Sequence, residues 1–507
     1  MQKRKLLKWS LPLLAAGFCA CDPGSGTKTK NSDVTIMSCS EIMFNDTTDL
    51  EFIELKIESG PAIQNMTDAL LRLDGAITYT FPAEPLDTGE YIVVTNDVAL
   101  FHERYPNFSG RLFGPWDIDP EKGTVGRLSN EGDVIEVKLD GKGDVDCRFD
   151  GAPPWPSLAA GEGHTLVYTG GFPGSPFSWA ASKTDGGNPG GPDEYIAPLT
   201  VRINEVMPYS GTPGWVEFYN SGAEAKDISG WHVVREVGDS YEVYEVPAGS
   251  VVPANAYLVS DAEDFQFFSQ NGESLYLREV VNGKETGAES GLEYPVTPNS
   301  SAGVITLSDG SLEQGSLIEP TRGKQNSGPL MGPLYFNEIH YHPVENTGTL
   351  EFIEIRNLSD TVVPLYDVAE QAAWSVKGIA LTFSSTDAVP ANGMMLLIQD
   401  TLSMDTAEFR AAYGIANEIP IVTYPGKVSN RGELLVLQKP YPPCFIDPLN
   451  PAEKQCAYQW SDAILYSDRG AWPTEADGLG KSLNRKDFNL SGHEPGNWEA
   501  RTPTPGK

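Results

Sequence analysis

The chain has 507 residues, 40% of them hydrophobic and 10% aromatic, with 51 Gly and 39 Pro. A single hydrophobic core does not grow to that length, so about three domains are expected. The net charge of −34, from 70 acidic against 36 basic residues, makes a surface that repels phosphate backbones, and with no basic stripe to offset it nucleic acid is excluded as a partner.

Met1 to Lys8 carries Lys3, Arg4, Lys5 and Lys8, and Trp9 to Phe18 is an apolar run broken by Pro12. It is too short for a permanent membrane helix and fits an export signal. Its end, Phe18-Cys19-Ala20-Cys21, resembles a bacterial lipoprotein signal, with small Ala20 before the cysteine. The resemblance implies removal of residues 1–20, a diacylglyceryl group on Cys21, and a polar tether over 21–33. Ordinary secretion with nearby cleavage is the alternative. The expected location is the bacterial envelope, anchored to the membrane by lipid, with the outer membrane or cell surface favoured over the inner membrane.

Of six cysteines, Cys19 lies in the signal and Cys21 takes the lipid, leaving Cys39, Cys147, Cys444 and Cys456. An even set in an exported chain reads as disulfides, and position suggests Cys39 with Cys147 and Cys444 with Cys456. Zinc is the rival, but there is no C-x-x-C and only 6 His. No metal and no cofactor are expected.

After the tether the chain repeats. Ser40-Glu41-Ile42-Met43 precedes Phe52-Ile53-Glu54-Leu55, Asn204-Glu205-Val206-Met207 precedes Trp215-Val216-Glu217-Phe218, and Asn337-Glu338-Ile339-His340 precedes Phe352-Ile353-Glu354-Ile355. Each pair reads as two alternating strands joined by a polar turn. Each copy then has a turn feeding an apolar run, ending at Val94, Val259 and Leu397. A third landmark is S-[NQ]-x-G-[DE] ahead of another strand, at Ser129, Ser269 and Ser429, where the second copy reads Ser269-Gln270-Asn271-Gly272-Glu273. A twelve-residue closing motif, W-P-[ST]-x-A-x-G-x-G-[HK]-[ST]-L, runs from Trp155 to Leu166 and again from Trp472 to Leu483.

Together N-E-[IV], [WF]-[IV]-E, Gly230-Trp231, the turn before an apolar strand and the Trp472–Leu483 ending resemble the lamin-tail domain family. The resemblance implies an immunoglobulin-like β-sandwich for each copy, hence an all-β chain of three tandem lamin-tail-like units spanning 34–190, 199–325 and 334–507. The second copy is short, and its closing stretch (Tyr294 to Leu307) fits loosely, so its sandwich is expected to be the least regular. Gly186 to Pro192 and Gly323 to Pro333 read as linkers. Insertions near Phe101 to Pro120 and Phe409 to Pro425 include single helical turns at Phe101–Tyr105 and Ala407–Tyr413.

Several constellations bear on chemistry. Gly480-Lys481-Ser482 lacks the upstream glycine of a phosphate loop and reads as a turn into a strand. Asp140 to Asp146 has carboxylates at calcium-loop spacing but lacks the downstream Glu, and reads as a hairpin turn. His340 and His342 with Glu338 form a His/His/Glu set that the other copies lack. The two Glu per copy read as caps on backbone amides or partners of Arg. Their alternative use is acid–base work on a polysaccharide. Trp116, Phe172, Phe177 and Trp179 lie among Gly and Pro, where rings either stack on sugars or plug the end of a sandwich. With no G-x-S-x-G and no H-E-x-x-H, a non-catalytic binding or scaffolding role for an unidentified protein or glycan is expected. A calcium-stiffened adhesin is a further alternative.

Overall fold

The computed structural model describes residues 35–117, 126–130, 132–139, 145–171, 173–208, 214–237, 240–261, 273–294, 300–308, 310–344, 350–400, 404–430, 432–446, 454–468 and 470–507. The signal, Cys21, the tether, the 140–144 loop and Phe172 lie outside them.

In the first unit a six-stranded sheet runs Trp179–Ala181, Leu166–Tyr168, Ile36–Met43, Phe52–Ser59, Tyr91–Thr95, Arg111–Phe113. A four-stranded sheet of Tyr79–Thr80, Arg72–Gly75, Gly132–Lys138 and Val145–Asp150 accompanies it. The third unit repeats both orders, with Leu334–His340, Phe352–Asn357 and Ser482–Arg485 central in one sheet and Gly432–Ile446 paired with Lys454–Ser467 in the other. The second unit has a five-stranded sheet around Val201–Met207, Trp215–Asn220 and Ala302–Thr306, and a four-stranded sheet that includes Glu273–Val281 and Lys284–Tyr294. Alternate residues of the central strands point between the sheets, giving cores such as Ile53, Leu55 and Ile57 against Ile135 and Val137. Burying one such side chain contributes about 1.5–3 kcal/mol.

Both faces of the main sheet are covered in the first and third units. Val98–Arg104 is a helix capped by Asp97, and Thr406–Tyr413 is one capped by Asp405 in a full capping box. Each puts one phenylalanine, Phe101 or Phe409, onto the outward-pointing Phe52 or Phe352. The chain then returns as a strand parallel to the one it left, pairing Val93 with Leu112 and Leu397 with Val422. The corresponding stretch of the second unit falls within 262–272, outside the described residues.

Among the described residues the second unit keeps the strand register of its neighbours. Its closing strand meets the first strand at Glu205↔Gly303, just as Glu41↔Val167 and Glu338↔Asn484 pair in the others. Sheet pairing uses backbone groups, so side-chain divergence in the closing motif leaves it intact.

Candidate functional site

The paired carboxylates are the feature most strictly repeated. Each first strand has an irregularity one residue before its Glu, at Ser40, Asn204 and Asn337. This extra residue re-aims the strand so that Glu41 pairs with Glu54, Glu205 with Glu217 and Glu338 with Glu354. All six are buried. A burial this complete requires partners, and the end of each unit supplies them.

In the third unit the strap Thr504-Pro505-Gly506 donates from Thr504 N to Glu338 at 2.9 Å, from Thr504 Oγ1 to its other oxygen at 3.1 Å, and from Gly506 N to Glu354 at 2.7 Å. Ser482 Oγ and Asn337 Nδ2 satisfy the rest. The second unit uses Thr321 and Gly323 with Ser301 and Asn204 in the same way. In the first, Asn188 N and Thr165 Oγ1 reach Glu41, while Gly190 N and Ser40 Oγ reach Glu54. Gly186 to Pro192 is therefore no plain linker. Its backbone closes the sandwich over a buried pair of acids, and a Cβ on Gly187 (φ +69°) would run into the Glu41 carboxylate.

Burial pushes several of these acids up. Glu54 reaches about 8, Glu217 and Glu354 about 7, and Glu41 and Glu338 also rise. A further buried acid, missed in the sequence, heads the second strand of the first and third copies. Glu51 takes the amide of Leu128, and Glu351 takes that of Val428 and the Tyr424 hydroxyl. The duplicated E-F-I-E was its signal.

The predicted aromatic set divides. Trp116 is 1% exposed, with its indole N–H on Gly126 O at 2.6 Å, and Trp179 is 4% exposed, with its own on Pro173 O at 2.8 Å. Both are core rings and offer no stacking face, because their apolar area is spent inside the sandwich. Trp179 also has an unnoticed counterpart: Trp498 follows a matching turn, Pro495–Asn497 against Pro176–Ser178, and donates to Gly492 O at 2.8 Å. Trp155 and Trp472 pack on this pair at 6.1 and 6.4 Å. Phe177 alone of the three is open, at 42%.

The Cys39–Cys147 and Cys444–Cys456 disulfides both form. Glu338, His340 and His342 do not converge: His340 Nδ1 sits 2.8 Å from Leu350 O and His342 Nδ1 2.5 Å from Asp477. Ser482 of the Gly-Lys-Ser stretch opens a strand and caps Glu338.

The three units meet around a cleft of about 440 Å³. Trp155 and Phe177 of the first unit, Leu312 and Gln314 of the second, and Trp460 and Trp472 of the third line it. Polar contacts hold the junction: Ser157 N to Glu289 at 2.6 Å, Lys377 to Asp150 at 3.6 Å, and Ser491 to Glu313 at 3.1 Å. Burial raises Glu313 to about 8 and lowers His493 to about 3, so both are neutral at pH 7. Among the described residues, Arg148 Nη1 and Gln314 Oε1 behind the cleft wall are buried and have no hydrogen-bond partner.

Residues 196–314 match the family model described as Lamin Tail Domain. That is the copy whose closing motif diverges most. Among solved structures, a DUF4876 family protein from Bacteroides thetaiotaomicron VPI-5482 is similar at 13% identity, over 56% of this chain and 90% of that chain, with a TM-score of 0.22. Comparison with curated proteins gives no match.

Proposed function

We propose that the protein is a non-catalytic binding and scaffolding lipoprotein of the bacterial envelope, anchored through Cys21, whose three-unit cleft holds a saccharide. The observation that carries the ligand class is the mixed lining of the cleft. Arg148 brings donors and Gln314 both a donor and an acceptor to a wall that also holds Trp460 and Phe177, so a ligand must bring acceptors and donors. A polyol ring supplies both, since each hydroxyl donates and accepts, and its C–H face packs on aromatic rings.

The enzyme alternative has little to draw on. In the second and third units every oxygen of the Glu pair accepts a hydrogen bond from the chain's own strap, strand or bulge residue. These acids are also buried, so none presents a lone pair to a substrate. Titration of envelope-derived oligosaccharides against intrinsic tryptophan fluorescence tests the reading. Binding that weakens at least tenfold in Trp460→Ala and Gln314→Ala, with the sugar recovered unchanged, supports it. Turnover, or binding indifferent to both substitutions, overturns it.

A further inference from the structure

The first unit departs from the other two at one place. In the second and third units the strap opens with Thr321 or Thr504, whose hydroxyl donates to the second oxygen of the first Glu. In the first unit that position is Asn188, and Glu41 Oε2, on a residue that is 0% exposed, meets no donor among the described residues, only the neighbouring carboxyl of Asp193. Three residues past the strap glycine the second unit has Asn326. Its amide donates to the carbonyls of Asn204 and Val304, at 2.8 Å each, and accepts from Asn204 Nδ2. The first unit puts Asp193 there, so a donor is lost and a negative charge gained. Its bulge residue is Ser40, which replaces the amide donor of Asn204 and Asn337 with a smaller hydroxyl.

The result is a trio. One oxygen each from Glu41, Glu54 and Asp193 lie within 4.8 Å of one another. Among the described residues no Lys or Arg forms an ion pair with any of the three. A second buried oxygen, Asp193 Oδ1, also meets no donor among them. Three carboxylates with two oxygens that no donor reaches, and only the charge of Lys56 acting on Glu54 without an ion pair, call for a further positive charge.

We propose that Glu41, Glu54 and Asp193 bind a divalent cation of the calcium type, a site that the other two copies have closed with threonine and asparagine side chains. The donor set is all oxygen, as hard cations prefer, and calcium at about 2.3–2.6 Å from each ligand spans oxygens of this separation. Glu41 Oε2 and Asp193 Oδ1 are the ligands with no competing hydrogen bond, and water fills the remaining positions. The cation ties the strap 188–190 and the following Asp193 to the two central strands, so it clamps the first unit shut where the others use hydrogen bonds alone.

Calorimetric titration of the metal-stripped full chain with calcium chloride tests this, beside Asp193→Asn and Asn188→Thr, each of which installs the side chain the second unit already carries. The expected result is saturable calcium binding and a calcium-dependent rise in melting temperature in the wild type. Both variants should lose one equivalent of calcium or bind it at least tenfold more weakly, while their metal-free melting temperatures stay at or above that of the wild type. Absence of binding in the wild type, with the same melting temperature in calcium and in chelator, overturns the proposal and leaves a shared proton as the neutralising charge. Calcium binding of unchanged stoichiometry and affinity in both variants overturns it as well, because the cation then sits elsewhere.

Discussion

Glu338 and Glu354 pair directly across two antiparallel strands, yet each reaches a different amide of the same tripeptide, Thr504 N at 2.9 Å and Gly506 N at 2.7 Å. Two like acids side by side would repel. They share the task of fixing the 504–506 strap onto the middle of the sheet, and burial raises both, with the neighbouring Glu338 adding to the rise of Glu354.

Truncating one acid strands the donors it served. In Glu354→Ala, Gly506 N and Asn337 Nδ2 lose their acceptor inside the sandwich, at a cost of about 1–3 kcal/mol for each group left buried and unpaired. Urea unfolding of the full chain should show the transition of the third unit lowered by about 2–4 kcal/mol, with Glu354→Gln between that and the wild type because its amide oxygen still accepts one bond. An unchanged midpoint in Glu354→Ala would remove the strap from the account of stability.

Stability should rise as pH falls towards 5. Glu54, Glu313 and Glu351 titrate at about 8 and Glu217 and Glu354 at about 7 in the folded chain, against 4.5 for an ordinary glutamate. A carboxyl whose folded value is raised holds its proton longer in the folded state. Its contribution is complete below pH 4.5 and is lost as pH climbs through 7 to 8. His493, lowered to about 3 from 6.5, and His340, also lowered by burial, work the other way below pH 6.5, but the raised carboxyls, Glu51 and Asp193 at about 7 among them, outnumber them. Melting temperatures of the metal-free chain measured from pH 5 to 8 should fall with pH; a rise over that range would contradict the assignment.

Phe177 and Trp179 should separate cleanly although they are two residues apart. Trp179→Ala empties a buried indole site and should cost about 3–5 kcal/mol. Phe177→Ala removes a ring that is 42% exposed at the cleft, and should stay within about 1 kcal/mol of wild type while weakening any saccharide bound there. Equal destabilisation by both would place Phe177 in the core.

The two disulfides should differ in what they contribute. Cys39–Cys147 spans 108 residues and joins two strands of different sheets, whereas Cys444–Cys456 closes 12 residues at the end of one hairpin. Loop-closure entropy then favours the first, about 4–5 kcal/mol against about 3. Cys39→Ser/Cys147→Ser should lower the first melting transition by more than Cys444→Ser/Cys456→Ser lowers that of the third unit. The reverse order would show that local strain, and not loop length, decides.

Much of the architecture was legible in the chain alone. The alternating apolar runs, the repeated N-E-[IV] with [WF]-[IV]-E, the turn residues and the helical turns near Phe101 and Ala407 are local signals, since strand and helix periods act over a few residues. The cysteine positions suggested the disulfide pairing because two fall within the first copy and two lie 12 residues apart in the third. For Trp116 and Trp179 the sequence leaves stacking and plugging both open, because a ring among Gly and Pro carries no mark of which way it points. The 186–192 stretch was read as a linker because its glycines and prolines give no sign that their amides face inward.

By itself, then, the sequence determined that the chain is all-β and threefold repeated, and that each copy carries two acids at equivalent positions in its first two strands. These follow from periodicity, which is written locally. Only the tertiary structure decided what the acids do. Thr504 and Glu338 are 166 residues apart, and Asp193 is 152 beyond Glu41, so no local pattern links them. The strap of each unit finds its acids because the closing strand pairs with the first, and the cleft exists because three such units meet. Both are consequences of long-range packing, which places residues by where sheets and surfaces come together and not by their order along the chain.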